Sequence, residues 1–204
     1  MIAAVILAAG QSIRMGRSKL ELPWKTGQPI ISHVVEIFLQ GGASPVLVVT
    51  GGMRETIEAS LMGMEVDFAY NPDYATGGML SSIKVGLQVL ETRKVEGALV
   101  SPADLPMLLP TTVRQLIQVW EDEAPSILAP SYKKRRGHPV LISRTEWEAL
   151  QKLRGDQTLR DFLRQREGEI SYLLVDDPGV LYDLDTPEDY RSAMDLTAQD
   201  SDQK

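Results

Sequence analysis

Residues 2–19 read IAAVILAAGQSIRMGRSK, an apolar run followed by a loop that is rich in glycine and cations. An unbroken apolar run that ends at a glycine is typical of a strand buried on both faces of a parallel sheet. The loop contains Gly10 and Gly16, and it carries the cations Arg14 and Lys19. Glycines let the backbone approach a ligand closely, and successive free amides form a concave site for anions. Because open α/β sheets bind ligands at the carboxyl ends of their strands, the pattern predicts a triphosphate site here.

Two common phosphate-binding motifs do not fit this loop. A Walker A loop has four residues between its outer glycines, followed by Lys, Ser or Thr, and a helix. Here five residues separate Gly10 from Gly16, and Pro23 follows too soon for a long helix. A dinucleotide fingerprint needs Gly-x-Gly-x-x-Gly, which the loop lacks. If the loop binds no ligand, the alternative is an ordinary loop after a strand with scattered basic residues.

The loop resembles the signature of the MobA-like nucleotidyltransferases, and within them it looks most like the molybdenum cofactor cytidylyltransferases. The positions that carry the resemblance are Leu7, Ala8, Ala9, Gly10, Ser12, Arg14, Met15, Gly16 and Lys19. The resemblance implies that these residues, apart from Met15, bind the nucleotide. It also implies that Arg14 and Lys19 contact the phosphates and take part in catalysis.

Composition restricts the class of protein. The 204 residues suffice for one large core, so we expect a single domain over residues 1–195 and a polar, frayed tail over 196–204. The absence of cysteine excludes disulfides and cysteine-ligated metals, and it agrees with a cytoplasmic location. No apolar run approaches the roughly 20 residues of a membrane span, and no signal peptide is expected. The net charge of −7 argues against nucleic-acid binding, which requires a basic face.

Short apolar runs alternate with amphipathic segments along the chain. After the first strand we expect strands at 46–50, 65–70, 97–101, 126–129, 140–142 and 170–175. We expect helices at 29–40, 54–62, 79–91, 111–123 and 144–153, a further helix beginning near 155 with Asp156 as its N-cap, and a last helix after Thr186. Alternation of this kind predicts right-handed crossovers and a parallel sheet. The family resemblance implies the same fold class, a three-layer α/β/α Rossmann-like nucleotidyltransferase fold with a mostly parallel central sheet.

Two serines occupy the first turn of the helix predicted at 79–91. Ser81 and Ser82 could cap that helix, because serine side chains accept hydrogen bonds from free amides. They could instead hold a polar edge of a ligand, but the residues taken alone favour capping. The segment resembles the family's Gly-Met-x-Ser-Ser-x-x-x-Gly motif, which favours a contact with the nucleotide base. The resemblance assigns nucleotide binding here to Asn71, Gly78, Ser81 and Ser82.

Two carboxylates are candidate metal ligands. Asp104 follows the strand predicted at 97–101 and lies between two prolines, and Mg²⁺ is usually held by one or two carboxylates plus substrate phosphates. Asp104 could instead cap a turn, as Asp commonly does. Asp185 precedes a capping box made by Thr186 and Asp189, so capping does not explain it. Both positions resemble the family's Asp-x-Pro and Asp-x-Asp-Thr-Pro motifs, which implies that Asp104 is catalytic and that both bind metal.

Residues 133–139 read KKRRGHP, and four successive cations usually mark a solvated loop. They could also steer an anionic second substrate. His138 is a candidate general base, because imidazole titrates near neutral pH. However, a phosphate nucleophile is already ionised and needs no base, so a positioning role or an ordinary loop position is expected. His33 is expected to be structural. By resemblance the residues on the second-substrate side are Gly137, His138, Pro139, Asp156 and Arg160.

The resemblance implies transfer of CMP from CTP to the terminal phosphate of the molybdopterin cofactor, with release of pyrophosphate and Mg²⁺ as the metal cofactor. It also implies a possible partner, an acceptor molybdoenzyme of the xanthine dehydrogenase type. Alternatives are transfer of GMP, transfer to a sugar phosphate, and a non-enzymatic chaperone that delivers the cofactor. The Met15-Gly16 pair argues against the sugar enzymes, which have Leu and another residue there.

Overall fold

A computed structural model describes residues 1–10, 18–25, 27–154 and 157–201, with side chains described up to residue 196. The strands are β1 (Ile2–Ala8), β2 (Val46–Thr50), β3 (Asp67–Tyr70), β4 (Gly97–Pro102), β5 (Ile127–Tyr132), β6 (Arg135–Arg136), β7 (Val140–Ser143) and β8 (Ile170–Leu174). The helices are α1 (Ile30–Gln40), α2 (Arg54–Ser60), α3 (Gly78–Leu90), α4 (Pro110–Glu123), α5 (Trp147–Gln151), α6 (Leu159–Gln165) and α7 (Pro187–Ser201). Short 3₁₀ helices span Lys19–Glu21, Arg144–Glu146, Glu167–Glu169 and Pro178–Leu181.

Within these residues eight strands form one sheet in the order β3-β2-β1-β4-β7-β5-β6, and β8 pairs with β5. The four neighbouring strands β3, β2, β1 and β4 are parallel to one another, and β5 and β8 are also parallel. Strand β7 runs antiparallel to β4 and β5. The connection from β5 to β7 is too short for the crossover that a parallel neighbour requires, so the chain turns back instead. The predicted mostly parallel α/β sheet is confirmed, with this antiparallel insertion as an unpredicted feature.

The core is divided between the two faces of the sheet, as a three-layer fold requires. Successive residues of β1 point to opposite faces, so Ala4 and Ile6 pack in one apolar cluster while Ala3 and Val5 pack in the other. The first cluster includes residues of α1 and α4, and the second includes residues of α3, α5 and α6. Strand β1 is thus buried on both faces, which explains its continuous apolar sequence.

Local boundaries differ from prediction at three places. The cationic run is a hairpin instead of a loop, because Lys133 and Lys134 adopt positive φ at the turn and the two arginines form β6. Asp156 was expected to cap α6, and this prediction is wrong: the N-cap is Thr158, which makes a reciprocal capping box with Asp161. Helix α7 extends through Ser201 and so covers part of the tail expected from residue 196. No described helix is long and apolar enough to cross a membrane.

Candidate active site

A cleft of about 460 Å³ opens at the carboxyl ends of the parallel strands. Strands β1 and β4 are neighbours, with Leu7 opposite Pro102, so the segments that follow them meet at one edge of the sheet. The predicted site residues that line this cleft are Leu7, Ala8, Ala9, Gly10, Lys19, Gly78, Ser82, Asp104 and Asp185. The fold therefore gathers residues from the first loop, the start of α3 and both carboxylate segments.

Lys19 lies between the two predicted metal carboxylates. Its Nζ donates to Asp104 Oδ2 at 2.5 Å and to Asp185 Oδ1 at 3.2 Å. The two carboxylate oxygens are therefore no farther apart than the sum of these distances, although the residues are 81 positions apart. The Asp104 side chain is 15% exposed and that of Asp185 is 60% exposed, so Asp185 forms the outer side of the cluster.

Backbone contacts hold this cluster in place. The Leu184 N–H donates to the carbonyl of Asp104 at 3.1 Å, which fixes the segment before α7 beside the β4 loop. The capping box predicted at the start of α7 is present, since Thr186 N–H donates to Asp189 Oδ2 and Asp189 N–H donates to Thr186 Oγ1. On the opposite side, Ser18 Oγ accepts from Leu20 N–H and begins the 3₁₀ turn that carries Lys19.

Among the described residues of this cluster, the carboxylates of Asp104, Asp183 and Asp185 outnumber the one ammonium group of Lys19. Burial lowers the pKa of Lys19, but the charges of Asp104 and Asp185 and their hydrogen bonds to Lys19 have the larger combined effect and leave the pKa raised. The pKa of Asp183 is also raised, first because burial disfavours its charged form and then because Asp185 and Asp104 repel that charge. A site with this excess of carboxylates favours binding of further cations.

The donor set fits a hard divalent cation whose coordination is completed by substrate. Asp104 Oδ1 is buried and has no hydrogen-bond partner among the described residues, so this carboxylate has unused acceptor capacity. The described residues contain no group of three or more His, Cys, Asp or Glu side chains that could hold a metal. Two carboxylates plus phosphate oxygens are the usual Mg²⁺ ligands, in contrast to an all-protein site.

Asn71 anchors the loop before α3. It is fully buried, and its Nδ2 donates to Ser81 Oγ at 2.8 Å and to Ser82 Oγ at 2.9 Å. Its Oδ1 accepts from the Asp73 N–H at 2.9 Å, which forms a turn at the start of the loop. The serines do not cap α3, whose N-cap is Gly77 without a side-chain hydrogen bond. Of these polar side chains only Ser82 lines the cleft, so Asn71 acts in the structure as a support for it.

We expect Asn71→Ala to destabilise the protein by roughly 1–3 kcal/mol, because it leaves buried groups without partners. Thermal unfolding measures this loss, and nucleotide affinity should fall as well because the loop loses its anchor. Gln118→Ala is a matched control, since it removes an exposed amide from α4 that bonds only to Asp122 among the described residues. Equal melting temperatures for Asn71→Ala and the wild type would contradict this supporting role.

A second cleft of about 550 Å³ adjoins the first, and the two share Gly78 and Met79 in their walls. It contains three of the residues predicted for the second substrate, namely Gly137, His138 and Arg160. Arg136 adds a second guanidinium group, and Leu80, Leu159 and Leu163 add apolar surface. This combination suits a ligand that has both an anionic group and an apolar or aromatic body.

His138 lies in the wall of the second cleft. Burial lowers its pKa, and the opposing effects of the Asp104 charge and the Val100 carbonyl are smaller. Its backbone N–H donates to the carbonyl of Val180 at 2.8 Å, and its peptide bond to Pro139 is cis. Gly137 is buried, and a side chain at its position would clash with Val180. Pro139 is also buried, but it does not line the cleft. Both residues therefore affect the site by fixing the backbone on either side of His138.

The predicted site residues Ser12, Arg14, Gly16 and Asp156 lie outside the described residues. Their assignment stays a prediction. The sequence analysis also missed Tyr74 and Met79 in the first cleft. Met79 belongs to the Gly-Met-x-Ser-Ser segment and lies in the first turn of α3, but it was given no binding role there. Tyr74 lies in the preceding loop and belongs to no motif. His33 bonds to the carbonyl of Pro106 beside the Asp104 loop, in keeping with a structural role.

Comparison with known proteins agrees with this geometry. Residues 4–170 match the model of the family described as the MobA-like NTP transferase domain. The molybdenum cofactor cytidylyltransferase of Escherichia coli is 28% identical over 194 residues, which cover 94% of this chain and 95% of that protein. The nicotine blue oxidoreductase of Paenarthrobacter nicotinovorans is 30% identical, over 92% of this chain and 93% of that protein. The family resemblance predicted from the sequence is confirmed, but relatives of similar identity differ in their named activities.

A solved structure supports the same fold. The crystal structure of Rv0371c from Mycobacterium tuberculosis in complex with manganese has a TM-score of 0.80 and 27% sequence identity to this chain. The alignment covers 95% of this chain and 98% of that one. A protein with this fold and with recognisable sequence similarity has therefore been crystallised with a divalent metal.

Proposed function

Since this chain belongs to the MobA-like NTP transferase domain family, we propose that it transfers CMP from CTP to the terminal phosphate of the molybdopterin cofactor and releases pyrophosphate. The observation that carries the proposal is the convergence of Lys19, Asp104 and Asp185 in a cleft at the carboxyl ends of β1 and β4. A nucleotidyltransferase needs cations and metal-binding carboxylates at one point, and this cleft contains an ammonium group and two carboxylates that suit these roles.

The chain's own groups would bind and orient the triphosphate. Backbone amides after Ala9, together with Arg14 and Lys19, would contact the β- and γ-phosphates. Asp104 and Asp185 would hold Mg²⁺, which supplies charge stabilisation for the phosphate oxygens when it is bound. The manganese complex of the related Rv0371c supports the use of a divalent metal by a protein of this fold. The base would lie toward Ala9 and Ser82.

The second cleft would bind the phosphorylated pterin. Arg136 and Arg160 offer guanidinium groups to its phosphate, and the leucines of α3 and α6 offer apolar surface to its ring system. Because a phosphate nucleophile is already ionised, no general base is required. His138, whose pKa is lowered by burial, would position this substrate beside the Asp104 segment.

The proposal is tested by supplying the protein with each of the four NTPs, Mg²⁺ and candidate phosphorylated acceptors, and by measuring pyrophosphate. Release that requires both CTP and molybdopterin supports it. Release with GTP, or with a sugar phosphate as acceptor, would favour the corresponding alternative transferase. Tight binding of the cofactor without pyrophosphate release would favour a delivery chaperone for an acceptor molybdoenzyme.

We expect CTP to be preferred over GTP, because the Ala9 methyl group narrows the start of the loop and guanine is larger than cytosine. Ala9 is buried in the cleft wall, and one methyl group changes discrimination by about 1–3 kcal/mol. Ala9→Gly should therefore shift the ratio of kcat/KM values toward GTP by roughly tenfold or more. Ala43→Gly removes a buried methyl group outside the cleft lining and should leave the ratio unchanged. Equal use of GTP and CTP by the wild type would contradict the cytidylyl assignment alone.

A further inference from the structure

Lys19 occupies the position where the proposed metal would bind. Its ammonium group contacts both Asp104 and Asp185, and no other cationic side chain in the described ranges pairs with either carboxylate. The contact is partly buried, since 19% of the Lys19 side chain and 15% of the Asp104 side chain are exposed. Lysine carries its charge as a compact ammonium group, which resembles a small cation more than a guanidinium does.

An ammonium group and a divalent cation compete for these oxygens. Asp104 Oδ1 is free to bind a metal while Lys19 bonds Oδ2, but two cations on one carboxylate repel each other strongly in a partly buried site. A divalent metal that binds alone must therefore displace Lys19 into a position without a matching anion. A triphosphate removes that penalty, because its oxygens provide the displaced ammonium group with a new partner.

We propose that Lys19 is an internal substitute for the metal. In the free protein its ammonium group holds Asp104 and Asp185 together. When metal and nucleotide bind together, the metal takes the two carboxylates and the Lys19 ammonium group moves to the triphosphate oxygens. This inference rests on the proposed nucleotide and metal site. It explains how two carboxylates can stay close together before the metal arrives, since Lys19 offsets their repulsion. It also makes metal and nucleotide binding mutually dependent, with a coupling in the range usual for linked sites, about 5–150-fold.

Removing the Lys19 charge should have opposite effects on the two ligands. Lys19→Met retains the length of the side chain but removes the ammonium group. Without nucleotide, the variant should bind Mn²⁺ about tenfold more tightly than the wild type, because no internal cation has to be displaced. Its affinity for the triphosphate should fall, and the coupling between the two ligands should largely disappear.

Mn²⁺ binding is measured from the electron paramagnetic resonance signal of free Mn²⁺, with and without a non-hydrolysable CTP analogue. Thermal unfolding is a second readout, in which Lys19→Met should melt below the wild type without metal and recover more when Mn²⁺ is added. Lys25→Met is the matched control, because Lys25 is exposed and makes no ion pair within the described residues. Lys19→Gln replaces Lys19→Met if circular dichroism shows that the latter is unfolded.

The outcomes separate this inference from the proposed function. If Lys19→Met binds Mn²⁺ no more tightly than the wild type, while Asp104→Asn loses the Mn²⁺ that the wild type binds with nucleotide, the metal site stands and the substitution role is overturned. If no protein binds Mn²⁺ even with nucleotide, the metal site itself fails and the inference fails with it. Tighter Mn²⁺ binding by Lys19→Met, but not by Lys25→Met, supports the exchange.

Discussion

Asp104→Asn is expected to reduce nucleotidyl transfer by at least about a hundredfold, as is usual when a group that stabilises transition-state charge is removed. Asp185→Asn should have a similar effect, because both carboxylates contact the same point, where Lys19 now lies. The double variant should be little worse than either single one, since residues that serve one centre are not additive. Steady-state kinetics with varied Mg²⁺ measure these losses.

The control for the carboxylate variants is Asp176→Asn, which neutralises an exposed aspartate beyond β8. It changes net charge equally and should retain activity. Thermal unfolding of every variant separates loss of catalysis from loss of fold, because Asp104→Asn also removes a partner of Lys19. Small and additive losses from Asp104→Asn and Asp185→Asn would indicate that the two residues stabilise separate turns instead of a shared centre.

Gly179→Ala is expected to destabilise the protein by about 1–3 kcal/mol or more, as overpacking of a close contact does. A Cβ atom at this position would lie 2.1 Å from the carbonyl oxygen of Met107, which is backbone and has no rotamer to adopt. For a domain of this size each kcal/mol lowers the melting temperature by about 2–4 °C. Activity should fall as well, because the segment after Gly179 carries Asp185 to Asp104.

Gly168→Ala provides the comparison for Gly179→Ala. A Cβ atom at Gly168 would meet no atom within 4 Å, so this variant makes the same chemical change without a clash. It should melt within about 0.5 kcal/mol of the wild type, as surface substitutions usually do. If Gly179→Ala melts like Gly168→Ala, then the turn at Pro178–Leu181 is free to move away from the Met107 loop.

Some features of the fold could be read from neighbouring residues alone. The first strand is visible as an apolar run because it is buried on both faces. The capping box of Thr186 and Asp189 is visible because its hydrogen bonds join residues three positions apart. The capping box of Thr158 and Asp161 has the same three-residue spacing, so the sequence contains the signal that places the N-cap of α6 at Thr158 and not at Asp156.

Other features depended on strand pairing that local sequence does not specify. The antiparallel β7 has an apolar sequence like that of the parallel strands, because it too is buried on both faces. The direction of β7 is set by the short hairpin that precedes it and by its pairing with the edge of β4. Likewise, no local sequence pattern indicates that Asn71 supports the loop before α3. Its hydrogen-bond partners Ser81 and Ser82 come close to it only when α3 packs against the sheet.

The sequence by itself determined the family, the alternating fold and the chemical types in the site, because these follow from motifs and periodicity along the chain. Only the tertiary structure decided which groups meet. Lys19 contacts Asp104 across 85 positions and Asp185 across 166 positions. Contacts at such separations form only when the sheet brings the ends of β1 and β4 together and the segment before α7 returns beside them. The position of Lys19 between the two carboxylates proposed to bind metal is therefore a property of the fold that no local pattern in the chain encodes.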